Sequence, residues 1–359
     1  MRCEIITIHH IHNFGSVFQA YSLQKFLQQH GHDASIIDYR PAYYDTGRNK
    51  LKTMVGKMLN LKPYLVRKQK FEHFVKEYEN LSSQRFVTID QLRNSYKDSN
   101  SVFLAGGDQL WNSYHPCGND DAYKLTFVKN GKKMTYGTSM GRDNFADEEL
   151  EVLAKKTADF RRIMLREKCT ADILASYTTV EVSHVIDPVG LLEPEDFLKI
   201  AKKPPIREPY AVMYLADSSP LLDAAIHVLS KKMGLKIIHI CGFRKKCYCD
   251  YLIKDAGPEE ILGYIANAEF VLSASFHATI FSLLLNKPFA SLLPGEKTNA
   301  RIEDILKLVG LENRILYSEE ELSELENTIS FTRPNAILSE MKAVSKERLL
   351  QAILDMAEG

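Results

Sequence analysis

The chain lacks an excess of either charge: 46 Lys and Arg face 46 Asp and Glu across 359 residues. No overall field steers it toward nucleic acid, so any anion it binds must be held by a local cluster. Paired cysteines are also missing. The six, at positions 3, 117, 169, 241, 247 and 249, form no C-x-x-C, which leaves neither a zinc site nor a disulfide framework to expect; Cys241, Cys247 and Cys249 read as incidental thiols. No apolar run approaches the roughly 18 residues of a membrane span. The opening Met1-Arg2-Cys3-Glu4-Ile5-Ile6-Thr7-Ile8 is too short and wrongly charged for a secretory signal, which predicts a cytoplasmic protein. Nor is there a G-x-G-x-x-G, so no nicotinamide or flavin cofactor is expected. Short internal repeats and low-complexity tracts are absent as well.

What is present is a globular composition, 45% hydrophobic and 26% charged, long enough for two cores. Glu4 to Ile8 reads as a strand, Ser16 to His30 as an amphipathic helix stopped at Gly31, and Ala34 to Tyr39 as a second strand before Pro41. That is a β-α-β unit, whose parallel strands need a crossover helix and whose ligands bind beyond the strand carboxyl ends. Val102 to Ala105 opens into Gly106-Gly107-Asp108, and Met134 to Thr138 opens into Ser139-Met140-Gly141-Arg142. The second half repeats the rhythm: strand Tyr210 to Leu215, helix near Leu221 to Met233, strand Lys236 to Cys241, helix near Pro258 to Ala266, strand at Phe270. Asp187-Pro188-Val189-Gly190-Leu191-Leu192-Glu193-Pro194 punctuates the two runs. The expected organisation is therefore α/β, with two Rossmann-like domains at 1–190 and 191–335 whose parallel sheets face a central cleft. A last helix, in 336–359, would pack back on the first domain, and the cleft is the expected site.

Ala268 to Ser282, with Ser273-Ala274-Ser275-Phe276-His277 at its centre and Asn286-Lys287-Pro288-Phe289 after it, is the most informative stretch. It reads as a strand, a Ser able to cap a helix, and a His in the first helical turn. Free N–H groups and the helix dipole there favour an anion, and an imidazole beside it could exchange protons. In Asn13-Phe14-Gly15-Ser16, Gly15 permits close approach of a ligand to the backbone and Ser16 serves as a cap. Asp108 could take a proton from a sugar hydroxyl or cap the next turn. Arg166, in Arg166-Glu167-Lys168, could bind an anion bidentately or pair with Glu167 or another carboxylate on a solvated face. Arg301, Lys297 and Arg142 invite the same two readings. From Arg48 to Lys76 nine basic residues face one acid, Glu72. With Leu51, Met54, Val55, Met58, Leu59 and Leu61 interleaved, this stretch suits either contact with anionic lipid or a solvated insertion.

Asn13 to Gln24, Gly106-Gly107-Asp108-Gln109-Leu110-Trp111-Asn112, Arg166-Glu167-Lys168, Asp187-Pro188-Val189 and Ser275-Phe276-His277 stand in the order seen in the polysaccharide pyruvyl transferase family. The resemblance spans roughly Ile5 to Leu311. It implies a glycosyltransferase-B-like architecture and transfer of an enolpyruvyl-derived unit from phosphoenolpyruvate to a sugar, usually closing a pyruvate ketal. The sugar belongs to a cell-surface polysaccharide or its lipid-linked precursor. Phosphoenolpyruvate would be a co-substrate, with no metal and no further cofactor. The resemblance makes His277 a donor contact and proton donor, Arg166 a holder of the donor carboxylate or phosphate, and Asp108 the acidic residue. Ser275, Phe276 and Arg301 fall on the donor side, and Asn13, Gly15 and Ser16 on the acceptor side. Many members have Arg two positions before the His, where this chain has Ser275, and a subgroup has Asp and Gly where it has Ala274 and Ala278. A nucleotide-sugar glycosyltransferase of the same architecture and a non-catalytic sugar-binding relative are the alternatives.

Overall fold

The structure is a computed structural model and describes residues 1–44, 61–129, 132–214, 219–241, 247–293 and 300–358. The chain forms two units, one from the described residues of 1–48, 75–192 and 339–359, the other from those of 49–74 and 193–338. Residues 48–60 of the basic stretch, and Lys297, lie outside the described residues.

In the first unit, β1 (Arg2–Ile6), β2 (Asp33–Tyr39), β3 (Leu81–Phe86), β4 (Val102–Gly106) and β5 (Lys133–Tyr136) form one parallel sheet in the order β3-β2-β1-β4-β5. Ile5, Ile6, Ile36, Ile37, Phe103 and Leu104 are wholly buried, as strands covered on both faces must be. Glu4 breaks the apolar run but is satisfied: its carboxylate accepts from Arg2 Nε at 2.7 Å and from Ser35 Oγ at 2.8 Å. A smaller parallel pair, β6 (Ile163–Leu165) and β7 (Val182–His184), continues beside β5 through bridges at Met134–Arg162 and Thr138–Leu165.

Helix α1 (Phe14–Gln29) is buried all round over Phe14–Gln24, not amphipathic as the sequence suggests, because it also packs against the Pro188–Leu191 turn. Its cap is Asn13, not Ser16: Asn13 Oδ1 accepts from the amides of Gly15 (2.9 Å) and Ser16 (3.3 Å), the geometry of a side-chain N-cap. Helices α2 (Leu61–Tyr78), α3 (Ile89–Tyr96), α4 (Asp147–Lys156) and α5 (Lys168–Leu174) follow. Residues 61–74 of α2 group with the second unit, although the sequence places them in the first domain. Lys70 explains this, since its Nζ meets Glu260 Oε2 at 2.7 Å.

The second unit has the same design. Its strands β8 (Tyr210–Tyr214), β9 (Lys236–Ile240), β10 (Tyr251–Ile253), β11 (Phe270–Ser273), β12 (Phe289–Leu292) and β13 (Ile315–Leu316) lie parallel in the order β10-β9-β8-β11-β12-β13. Around this sheet stand α6 (Pro194–Leu198), α7 (Pro220–His227), α8 (Pro258–Ala266), α9 (Phe276–Leu284) and α10 (Ala300–Val309). The helix expected to Met233 stops being α-helical after His227 and continues as a π-turn over Val228–Lys232. The last helix, α11 (Thr332–Glu358), starts five residues before the Ile337 expected for it. From Ser339 it belongs to the first unit, where Ser345 Oγ accepts from the Ile186 amide at 2.9 Å and Arg348 Nη1 donates to His184 O at 2.7 Å.

In each sheet the crossovers leave in opposite directions from two neighbouring strands, β1 and β4 in one, β8 and β11 in the other. The crevice at such a reversal is where open α/β sheets bind ligands.

Gly263 in α8 marks a close approach: a Cβ there would lie 1.8 Å from the Lys202 carbonyl oxygen. Gly263→Ala is expected to lower stability by about 1–3 kcal/mol through overpacking, even though Ala favours a helix by about 1 kcal/mol. Urea unfolding checks this; a variant as stable as the parent contradicts it.

Candidate active site

At the reversal in the first unit, β4 ends in Gly107 and Asp108, both left-handed with φ of 57° and 55°. Gly107 has no alternative, since a Cβ would fall 1.6 Å from Gln19 Oε1. Gln19 is itself fixed, its Nε2 donating to Thr7 Oγ1 (2.8 Å), Ser16 O (2.9 Å) and Ile8 O (3.3 Å). Asp108 carries the strain of a left-handed non-glycine because its side chain is held twice. Ser16 Oγ donates to Oδ2 at 2.5 Å and the Gln109 amide to Oδ1 at 2.7 Å. Strained backbone of this kind costs about 1–3 kcal/mol and collects at functional sites. Ser16, read as a cap from sequence, instead orients the carboxylate.

Arg166 is buried at the end of β6, and its partners are carboxylates: Nη1 donates to Asp187 Oδ2 at 2.7 Å and Nε to Glu167 Oε1 at 3.2 Å. Burial works against the charged guanidinium, but Glu167 and Asp187, with Asp108 behind them, outweigh it and raise its pKa. The sequence offered anion binding or pairing on a solvated face; the residue pairs, in the interior. Pulling one partner from a buried pair costs about 3–5 kcal/mol, so these two bonds, which use Nε and Nη1, are a structural commitment of part of the guanidinium's five donors. Arg142 is also committed. It bonds Ser113 Oγ and Asn144 O, each at 2.7 Å, and Glu149, and lies between the rings of Tyr114 and Phe145.

Sequence reasoning passed over His9 and His10, which follow β1 at the same reversal. His9 is fully buried, with Nε2 3.1 Å from Asp38 Oδ1 and Nδ1 3.3 Å from Thr7 O. Arg40 Nε (2.5 Å) and Arg85 Nε (3.1 Å) also donate to Asp38. Burial would raise the Asp38 pKa, but these three hydrogen bonds hold it well below the usual carboxylate range. The signal was available: His9-His10-Ile11-His12 directly follows an apolar strand, where a loop at the carboxyl end was already expected.

In the second unit, His277 stands in the first turn of α9, beyond β11 at the reversal, and is buried. Ser275 occupies the cap position, yet its hydroxyl makes no cap bond. Its amide donates to Ser273 Oγ at 2.9 Å and its carbonyl accepts from Thr279 Oγ1 at 3.2 Å. The cap expected from sequence is thus not formed by the side chain, and no acidic residue occupies the first turn. Phe276 lies edge-to-face with the His277 ring at 5.3 Å, and half-buried Arg301 sets its guanidinium 5.7 Å from the Phe276 ring. The structure thus groups Ser16, Asp108, Arg166, Glu167 and Asp187 in one unit, and Ser275, Phe276, His277 and Arg301 in the other.

The model of polysaccharide pyruvyl transferase matches residues 13–295. The chain belongs to the polysaccharide pyruvyl transferase family. No curated protein matches it. Among solved structures, this pyruvyl transferase family member is similar to the UDP-GlcNAc 2-epimerase of Methanocaldococcus jannaschii in complex with UDP-GlcNAc and UDP, with TM-score 0.58 and 14% identity over 99% of both chains. It is also similar to the epimerase from Neisseria meningitidis bound to UDP-GlcNAc, with TM-score 0.56, 11% identity, 99% of this chain and 100% of that one. A third is the trehalose-6-phosphate synthase OtsA, with TM-score 0.56, 10% identity, 100% and 99%. At these identities the likeness concerns the fold, which is of the glycosyltransferase-B type.

Arg166→Met, which strands Asp187 and Glu167, is expected to cost about 3–5 kcal/mol of stability. Adding Asp187→Leu should recover part of the loss. Urea unfolding of both variants decides, and an Arg166→Met protein with unchanged stability would contradict a structural pairing role.

Proposed function

We propose that this family member transfers the enolpyruvyl-derived unit of phosphoenolpyruvate to a sugar, closing a pyruvate ketal and releasing phosphate. The observation that carries the reading is His277 in the first turn of α9, where the Ser275 side chain makes no cap bond and the first turn itself contains no acidic residue. Amide N–H groups and the helix dipole suit the phosphate, and the imidazole suits proton delivery beside it.

The balance is simple. One sugar hydroxyl adds to the carbon bearing phosphate while the methylene carbon takes a proton and becomes a methyl. Loss of phosphate leaves an oxocarbenium carbon, and a second hydroxyl adds there, giving up its proton. His277 serves as the acid for the methylene, and Asp108, oriented by Ser16, as the base for a hydroxyl. Ser275, Phe276 and Arg301 form the donor side, with Asn13, Gly15 and Ser16 on the acceptor side. Arg166 holds the Asp187 and Glu167 charges in place, and its remaining N–H donors suit the donor's carboxylate or phosphate. No metal or further cofactor is needed for this balance.

A lipid-linked acceptor suits α2, which carries Lys62, Arg67, Lys68 and Lys76 with Leu61 and Leu65 exposed. On this reading the protein is cytoplasmic and touches the membrane face. Lys62→Glu with Leu65→Glu is expected to reduce co-sedimentation with phosphatidylglycerol vesicles at low salt. Equal sedimentation would remove the lipid contact.

The direct test is phosphate release from phosphoenolpyruvate with a panel of nucleotide-linked and lipid-linked sugars. Sugar-dependent release is expected, falling about 10²–10⁴-fold in His277→Ala without loss of fold. Turnover of a nucleotide sugar with no use of phosphoenolpyruvate would favour a glycosyltransferase. Donor binding without turnover would favour a non-catalytic sugar-binding protein.

A further inference from the structure

His10 is a half-buried residue that the roles above leave unused, and its ring nitrogens are enclosed. Among the described residues neither of its ring nitrogens has a hydrogen-bond partner, and both are shut off from solvent. Its ring is packed edge-to-face on Tyr44 at 5.0 Å and near His9 at 5.4 Å. An imidazole always carries at least one N–H, and leaving such a group unsatisfied costs about 1–3 kcal/mol. A buried polar group of this kind calls for a partner, and a bound ligand is one that can supply it.

The position fits a ligand. His10 follows β1, one of the two strands at the reversal. Tyr44, against its ring, packs on the first unit's core, which includes Cys117, and the Cys117 thiol donates to Gln109 O at 3.4 Å. The residue is half-buried as a whole, so rotation about Cβ–Cγ, a soft two-fold torsion, can turn a nitrogen toward an entering group.

The charge state decides what that group is. Burial, then the neighbouring His9 and Arg40, with Arg85 behind, push the His10 imidazole down to about 3, and Asp38 offsets them only in part. An uncharged imidazole has no Coulomb attraction for phosphate or carboxylate, while Arg40 and Arg85 each place Nε on Asp38. It can donate to and accept from a neutral hydroxyl.

We infer that His10 is an acceptor-binding residue, its partnerless imidazole hydrogen-bonding a sugar hydroxyl at the first unit's strand reversal. The inference rests on the proposed transfer only in calling that sugar the acceptor.

The test uses the full chain with ¹⁵N-labelled histidine. The His10 ring signals are assigned by their loss in His10→Gln, and the probes are methyl glycosides of galactose, glucose, mannose and N-acetylglucosamine. At least one glycoside is expected to move the His10 ring signals, which keep a neutral pattern from pH 5 to 8, while inorganic phosphate leaves them in place. His10→Ala should weaken that glycoside about tenfold, the worth of one hydrogen bond, and His10→Gln, which keeps a donor and an acceptor, should largely restore it. Signals that no glycoside moves, signals moved equally by phosphate, or an Ala variant that binds as the parent does each overturn the inference. Should His10→Ala fail to fold, the signals of the parent protein still decide. Ring signals that respond to sugar in a protein that never consumes phosphoenolpyruvate would defeat the pyruvyl transfer and leave His10 standing. Consumption with silent ring signals would do the reverse.

Discussion

A parallel strand pair whose crossovers depart in opposite directions leaves the carboxyl ends between them uncovered, and this constraint organises everything chemical in the protein. It acts once between β1 and β4 and again between β8 and β11. Loops there are free of the task of covering the sheet, so they can carry polar groups that would be costly elsewhere. His10, Asn13, Ser16 and Asp108 cluster at the first reversal, and Ser275, Phe276 and His277 at the second. Each unit reaches this arrangement through its own apolar strands and crossover helices.

The two reversals differ in charge. Around Asp108 the buried groups are Arg166 with Glu167 and Asp187, one cation against three carboxylates when Asp108 is counted. Such a setting suits hydroxyl groups that give up protons. At His277 the Ser275 side chain makes no cap bond and the first turn contains no acidic residue, and Arg301 stands beyond Phe276. That setting attracts an anion. A polyol suits the first environment and a phosphorylated carboxylate the second, each within its own unit, and this accords with the reading that His277 carries.

Much of the fold was legible because the central strands of both sheets are largely apolar runs, and Pro258–Ala266 is helical over the range its pattern predicts. The family was legible from several weak motifs in order. What escaped were tertiary facts. Ser16 looks like a cap by composition, but Asn13 wins that place and frees the hydroxyl for Asp108, 92 residues away. Arg166 reads equally as an anion ligand or as a partner of a carboxylate on a solvated face, and its buried pairing depends on Asp187, which only the fold brings to it. His10 sits in a conspicuous run of histidines, yet its lack of a partner is a property of packing and has no sequence signature. The α1 surface misled for a similar reason, since the Pro188–Leu191 turn covers the side that periodicity assigned to solvent.

The central claim is that a sugar hydroxyl adds across the double bond of phosphoenolpyruvate with protonation of its methylene carbon. Running the reaction in D₂O and reading the product by NMR tests it most directly. The account predicts a ketal methyl carrying one deuterium, delivered through an exchangeable acid. A product without a methyl group, or a methyl without deuterium, would contradict it.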